Sequence, residues 1–191
     1  MYDSSIPSVK VSIHEILKAI GEDPNREGLQ DTPNRVASMY SEIFGGYCVN
    51  PIEILKRSFT ESDDYGQLVM VRNIAFFSHC EHHMVPFFGV AHVGYIPAKG
   101  RVIGISKFAR LVECFSQRLQ IQERMTMQIA NTIEEVASPI GVMVVIEAEH
   151  LCMKMRGVKN PCADTVTSAT KGVFLTEPEA RAEFLALMRK S

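Results

Sequence analysis

The clearest strand pattern in this chain is VMVVIEAEHLCMKM, residues 142–155. Alternate residues of a β-strand point to the same face. One face of this stretch is therefore apolar from Val142 onward, and it ends in His150 and Cys152. Two reactive side chains two residues apart on one strand face are directed into the same space. The stretch thus predicts both a strand of the core and the border of a functional site.

The neighbouring segments predict the rest of the fold. β-forming residues predict strands over 68–77 and 90–96. Apolar stripes at helical spacing, with capping and breaking residues at their ends, predict helices over 8–20, 32–44, 106–118 and 120–137. A short strand is expected over 172–175. A C-terminal helix should follow it, beginning with a capping box of Thr176 and Glu179. Ser106 is the expected N-cap of the third helix. Paired strands followed by paired helices indicate an α+β fold with an antiparallel sheet.

Length and composition narrow the function classes. The chain has 191 residues, 46% hydrophobic and 22% charged, and a net charge of −2. We expect one main domain over 67–191, preceded by an N-terminal helical region over 1–66. No global positive field favours a nucleic acid partner, and no apolar run long enough for a membrane span is present. Five cysteines, an odd number, do not suggest a disulfide framework, so a cytoplasmic location is expected.

A dense group of metal-binding residue types lies at SHCEHH, residues 78–83. Cys80 and His83 are separated by two residues, so one turn can direct both side chains at one ion, and zinc accepts sulfur and nitrogen donors. A lone cysteine or histidine more often packs or lies at the surface. The cluster favours metal binding, and beside this incomplete site Cys152 is the expected third ligand.

Three protein ligands leave a fourth position for water, which is typical of catalytic rather than structural zinc. His82 and His150 are then candidate acid–base groups beside the metal. The stretch also matches half of the nucleobase deaminase signature, H-x-E at residues 79–81. The second half would need a cysteine where Thr165 stands, so this family is excluded.

Two further groups have open interpretations. Ser106, Lys107 and Arg110 begin a predicted helix, and a helix N-terminus with a hydroxyl and two cations suits a polyphosphate. Arg156 can join them, although a solvated basic face is equally consistent. Gln122 and Glu123 lie in the next helix, where a carboxylate suits the amide and amino edge of guanine or a surface ion pair.

Together these residues resemble the GTP cyclohydrolase I family of zinc enzymes. The resemblance covers roughly residues 10–190. The matching stretches are CEHH at 80–83, GYIPAKGRVIGISKFARLVE at 94–113, RLQIQERMTMQI at 118–129 and EHLCMKMRGV at 149–158, with TPNRV at 32–36 and TVTS at 165–168. A CEHH motif combined with a distant H-x-C and an intervening QER is far more specific than any single motif.

The resemblance implies a reaction and a set of roles. The family converts GTP to 7,8-dihydroneopterin triphosphate and formate, the first step of pterin and folate biosynthesis. Carried onto this sequence, the implied roles are as follows: one zinc ion per subunit on Cys80, His83 and Cys152; catalysis by His82, His150 and Ser106; guanine binding by Glu123 and Gln122; and triphosphate binding by Lys107, Arg110 and Arg156. We expect His150 to protonate N7 of the guanine.

The resemblance also implies a tunnelling fold, with an antiparallel sheet and helices packed on one face. It implies a homo-oligomer, a decamer of two pentamers with active sites at subunit interfaces. Two alternatives remain open at this stage. One is another tunnelling-fold enzyme acting on purines or pterins, such as a nitrile reductase of deazapurine biosynthesis. The other is a structural zinc module with four protein ligands and no turnover.

Overall fold

The order of helices and strands is taken from a computed structural model that describes residues 6–56, 58–60, 66–98 and 101–189. The helices are α1 (Ile6–Ala19), α2 (Thr32–Ile43), α3 (Pro51–Leu55), α4 (Ser106–Ser116), α5 (Gln122–Ala137), α6 (Leu151–Lys154), α7 (Val173–Thr176) and α8 (Pro178–Arg189), with a 3₁₀ turn at Gly45–Cys48. The strands are β1 (Ser58–Thr60), β2 (Val69–Cys80), β3 (Pro86–Ile96), β4 (Arg101–Ile103), β5 (Leu119–Gln120), β6 (Gly141–His150) and β7 (Thr165–Gly172). The mixed α+β class is confirmed.

The main sheet has five strands in the order β5-β2-β3-β6-β7. Its long strands are all antiparallel, and only the two-residue β5 runs parallel to its neighbour β2. The long strands β2, β3 and β6 are central. β3 and β6 are mostly buried, which explains why β6 reads as a nearly continuous apolar run, whereas β2 buries only alternate residues near its end. Strands β1 and β4 form a separate two-stranded pair.

Side chains of the sheet alternate between two cores. Val142, Val144 and Ile146 face the larger core, which also contains the apolar stripes of α4 and α5. Met143 and Val145 point to the opposite face, where α7 and α8 cover part of the sheet. The expectation of helices on one face is therefore wrong for the C-terminal helices. No helix in the described part of the chain is long and apolar enough to cross a membrane.

Three local predictions are corrected by the structure. The strand that begins at Gly141 ends at His150, and the chain then forms the short helix α6, so residues 151–155 do not continue the strand. Residues 173–175 belong to helix α7 rather than to a strand, and α8 begins at Pro178. Ser106 is the first residue of α4, preceded by Ile105, and makes no capping hydrogen bond. Helix α3 and strand β5 were not predicted.

A close backbone approach at Gly46 joins the 3₁₀ turn after α2 to the end of α4. Its N–H donates to the carbonyl oxygen of Gln117, 3.1 Å away, just before β5. A Cβ on Gly46 would overlap the carbonyl oxygen of Cys114 and lie 2.8 Å from that of Gln117. The guanidinium of Arg118 donates to the Gly46 carbonyl at 3.1 Å, which closes the junction. The absence of a side chain at residue 46 therefore permits this contact.

This junction predicts different effects for two adjacent glycines. Gly46→Ala should lower the free energy of unfolding by about 3 kcal/mol, because the backbone of α4 cannot yield to the added methyl group. Gly45→Ala is the matched control, since its Cβ would only meet the flexible side chain of Gln117 at 3.4 Å. Urea unfolding followed by circular dichroism measures both. Equal stability of the two variants would contradict the close approach.

Candidate metal centre and active site

The turn between β2 and β3 brings Cys80 and His83 together. Cys80 is the last residue of β2, and its N–H donates to the carbonyl oxygen of Val85 at 3.0 Å. The N–H groups of His83 and Met84 donate back to the Cys80 carbonyl at 3.3 and 2.8 Å. Met84 adopts a positive φ of 53°, which allows the chain to reverse within this short turn. The Cys80 sulfur lies 3.9 Å from His83 Nδ1.

Cys152 completes a three-residue group from the other side. Its position on the first turn of α6 places its side chain so that ligand atoms of Cys80, His83 and Cys152 all lie within 4.8 Å of one another. Cys152 was predicted to lie on a strand, but that strand ends at His150 and Cys152 belongs to α6. What brings Cys152 to the group is the pairing of β3 with β6, which sets His150 opposite Phe87 beside the turn.

The donor set fits a zinc ion. A tetrahedral zinc with a Zn–S bond of about 2.3 Å and a Zn–N bond of about 2.1 Å separates the sulfur and nitrogen atoms by about 3.6 Å, and Cys80 Sγ lies 3.9 Å from His83 Nδ1. Burial raises the pKa of the Cys152 thiol, and the neighbouring Cys80 raises it further. A bound cation would reverse this effect by stabilising both thiolates, which is how metal binding couples to proton release.

His150 lies beside this group in a restrained environment. Its ring stacks on that of Phe87, with centroids 4.5 Å apart and planes 3° from parallel. Its Nε2 lies 2.7 Å from the side-chain oxygen of Gln122. Burial lowers the pKa of His150, and the Glu123 carboxylate opposes this shift. The orientation of the His150 ring is therefore fixed by Phe87 against one face and by Gln122 at one nitrogen.

His82 differs from His150 in being largely exposed. Its Nδ1 lies 3.7 Å from the Cys80 sulfur, and its Nε2 is 4.0 Å from a carboxylate oxygen of Glu81. Glu81 in turn forms an ion pair with Arg124 of α5, and this arginine holds the pKa of the Glu81 carboxyl below its usual range. Of the two candidate acid–base histidines, His150 is enclosed and His82 is open to solvent.

The basic residues that were predicted to bind a polyphosphate lie in two separate places. Arg156 follows α6, and its Nη1 lies 3.0 Å from Nε2 of His83, so it borders the metal group. Ser106, Lys107 and Arg110 lie on the first turns of α4, and the last two line a cleft of about 470 Å³ with residues of the 3₁₀ turn and α3. Within one chain the structure does not bring Ser106 and Lys107 to the metal group.

The path of the chain explains why the start of α4 lies far from the metal group. The Tyr95 hydroxyl accepts a hydrogen bond from the N–H of Ile103, which places the approach to α4 at the opposite end of β3 from Phe87. The far end of α4 leads into β5, which pairs with His79 and Cys80. An eleven-residue helix is about 16 Å long. The start of α4 and the metal group thus lie toward opposite ends of the sheet.

Comparison with known families accounts for this combination of residues. The family model described as GTP cyclohydrolase I matches residues 9–189. The chain belongs to the GTP cyclohydrolase I family. Proteins named GTP cyclohydrolase 1 share 54% identity in Caldanaerobacter subterraneus subsp. tengcongensis (94% of this chain, 95% of that protein), 56% in Geobacillus sp. strain WCH70 (95% of each) and 52% in Desulforamulus reducens (100% of each).

A solved structure is also similar, though only weakly. The crystal structure of the archaeosine synthase QueF-Like in the apo form has 19% identity and a TM-score of 0.46, and the match covers 59% of this chain and 97% of that one. This match is too weak to assign the fold.

Sequence reasoning missed three contacts that shape the site of this GTP cyclohydrolase I family member. They are the stacking of Phe87 on His150, the ion pair of Arg124 with Glu81, and the hydrogen bond between Gln122 and His150. All three join residues that are far apart in sequence. Only the register of β3 against β6, or the position of β5 beside β2, could have indicated them, and a single sequence does not contain either.

The metal group predicts a specific loss of zinc in Cys152→Ala. This change removes one of two sulfur donors, so zinc should fall from about one ion per chain to nearly none after dialysis. Elemental analysis by mass spectrometry measures the ratio. Cys162→Ala is the matched control, since Cys162 is exposed and outside the group. Full zinc occupancy in folded Cys152→Ala protein would remove Cys152 from the ligand set.

Proposed function

We propose that this protein is a zinc-dependent GTP cyclohydrolase I that converts GTP to 7,8-dihydroneopterin triphosphate and formate, the entry reaction of pterin and folate biosynthesis. The observation that supports this most is the convergence of Cys80, His83 and Cys152 beside His150, in a chain whose relatives carry that enzyme name. Zinc bound there would supply Lewis-acid activation of a water molecule near neutral pH. The other steps are assigned to the chain's own side chains.

His150 is the proposed proton donor to N7 of guanine. Protonation at N7 makes C8 electrophilic, and attack of water at C8 opens the imidazole ring; a second hydrolysis releases formate. The stacked and hydrogen-bonded ring of His150 is held in one orientation, which favours directed proton transfer. His82 is more exposed and close to Glu81, so it is the proposed group, with Ser106, for proton transfers at the ribose.

Substrate binding is assigned to the remaining polar residues. Glu123, exposed at the first turn of α5 and electrostatically coupled to His150, is the proposed anchor of the guanine edge. Lys107, Arg110 and Arg156 are the proposed triphosphate contacts. All the proposed site residues fall within 67–191, in keeping with the proposed division into an N-terminal helical region and a catalytic domain.

The separation of the two basic groups supports a site shared between chains. Arg156 borders the metal group, whereas Lys107 and Arg110 line a cleft toward the other end of the sheet. One GTP can contact both groups if a neighbouring chain supplies Lys107 and Arg110. We therefore propose that the active site forms at a subunit interface.

Two exposed features of the sheet suit such an assembly. The outer edge of β7 pairs with no other strand of the described residues, which leaves a row of backbone donors and acceptors for a neighbouring strand. Phe77 is 72% exposed on the sheet face opposite the main core and contacts Phe88. Both support the proposal of a tunnelling fold that closes into rings, with pentamers stacked as a decamer.

The proposed reaction is tested by incubating zinc-loaded protein with GTP. Formate and the fluorescence of the oxidised pterin product should appear in a one-to-one ratio, because each turnover releases one of each. Protein stripped of zinc by a chelator is the control and should produce neither. Zinc-loaded protein that binds GTP but forms neither product would refute the proposal.

A further inference from the structure

Gln122 is buried at the start of α5 and all its side-chain polar atoms are engaged within the chain. It is 1% exposed. Its Nε2 lies 3.0 Å from the carbonyl oxygens of Ile146 and Thr165 and 3.2 Å from the hydroxyl oxygen of Thr167. Its Oε1 lies 2.7 Å from Nε2 of His150. A side chain bound in this way has no free edge to offer a substrate.

The surrounding groups fix which end of the amide donates. Two carbonyl oxygens accept hydrogen bonds only, so the NH₂ group of Gln122 must face Ile146 and Thr165. A flipped amide would set oxygen against oxygen at both positions. The side-chain oxygen of Gln122 is therefore the atom that faces His150.

The hydroxyl groups of Thr126 and Thr167 are consistent with this orientation of the Gln122 amide. The Thr126 hydroxyl donates to the backbone carbonyl of Gln122 at 2.7 Å, so it accepts from the Thr167 hydroxyl, also 2.7 Å away. Thr167 has then donated its only proton and can accept from the amide of Gln122. Each donor in this network then has an acceptor.

The orientation of the Gln122 amide determines which nitrogen of His150 carries a hydrogen. An amide oxygen can only accept, so Nε2 of His150 must carry a hydrogen. Within the described residues Nδ1 of His150 makes no hydrogen bond, and Phe87 covers one face of the ring. Nδ1 is thus the nitrogen that remains available to a bound molecule.

We propose that Gln122 is a positioning residue that keeps a proton on Nε2 of His150, so that the proton passed to the substrate is the one bound at Nδ1. This assignment rests on the proposed function for its kinetic consequence only. It replaces the expectation that Gln122 binds guanine, because the amide is already engaged. The side chain of Gln122 acts on the reaction through His150.

The direct test is nuclear magnetic resonance of zinc-loaded protein labelled with ¹⁵N-histidine, with His150 signals assigned by their loss in His150→Gln. Neutral wild-type His150 should carry its single proton on Nε2, and the second proton of the charged ring should bind at Nδ1. Gln122→Met, of similar volume but without an acceptor, should lose this preference. Gln128→Met is the control from the same helix, and it should leave His150 unchanged because Gln128 bonds Gln120 instead. A neutral wild-type tautomer with its proton on Nδ1, or an unchanged His150 in Gln122→Met, would overturn the proposal.

Kinetics separate positioning from substrate binding. Gln122→Met should lower kcat at least about tenfold with a KM for GTP within about threefold of wild type, since only the orientation of the catalytic histidine is lost. A raised KM with unchanged kcat would instead show a guanine contact and overturn the proposal. The resonance measurement needs no turnover, so failure of the proposed reaction and failure of this assignment are distinguishable.

Discussion

The register of β3 between β2 and β6 is the constraint on which the site depends. Phe87 lies opposite Ser78 on one side and opposite His150 on the other. This single alignment sets the end of β2, where Cys80 lies, beside the end of β6, which leads into Cys152. A slip of one residue would turn every side chain of β3 to the other face and move Phe87 from the core to the opposite side. Both cores oppose such a slip, because each buries alternate residues of the strands.

The same residues serve the core and the chemistry. Cys80 belongs to the larger core, only 7% exposed, yet its sulfur is one of three atoms that are placed to bind a metal ion. Phe87 is fully buried and supports the ring of His150. Gln122 begins α5, whose apolar stripe packs on the sheet, and its amide fixes the far nitrogen of that ring. Such rigid support is what a directed proton transfer requires, since a small displacement of the donor weakens catalysis strongly.

Local signals in the sequence predicted much of this arrangement. Cys80 and His83 share one short turn, and β6 is apolar at nearly every position, so both were recognisable without a structure. The extension of β6 through Met155 was wrong because the alternation of His150 and Cys152 resembles a strand, whereas the chain turns into α6. Contacts that depend on long-range register, such as Gln122 with His150, leave no local pattern. The position of α4 relative to the metal group likewise follows from the path of the chain around Tyr95.

Cys80, His83 and Cys152 are proposed to hold one zinc ion and to leave one coordination position open. X-ray absorption at the zinc edge measures this most directly on the purified protein. The expected spectrum has two sulfur ligands at about 2.3 Å, one imidazole nitrogen at about 2.0–2.1 Å and one further light ligand that is not histidine. A second imidazole, or a third sulfur, would show a closed four-ligand structural site and would contradict the account.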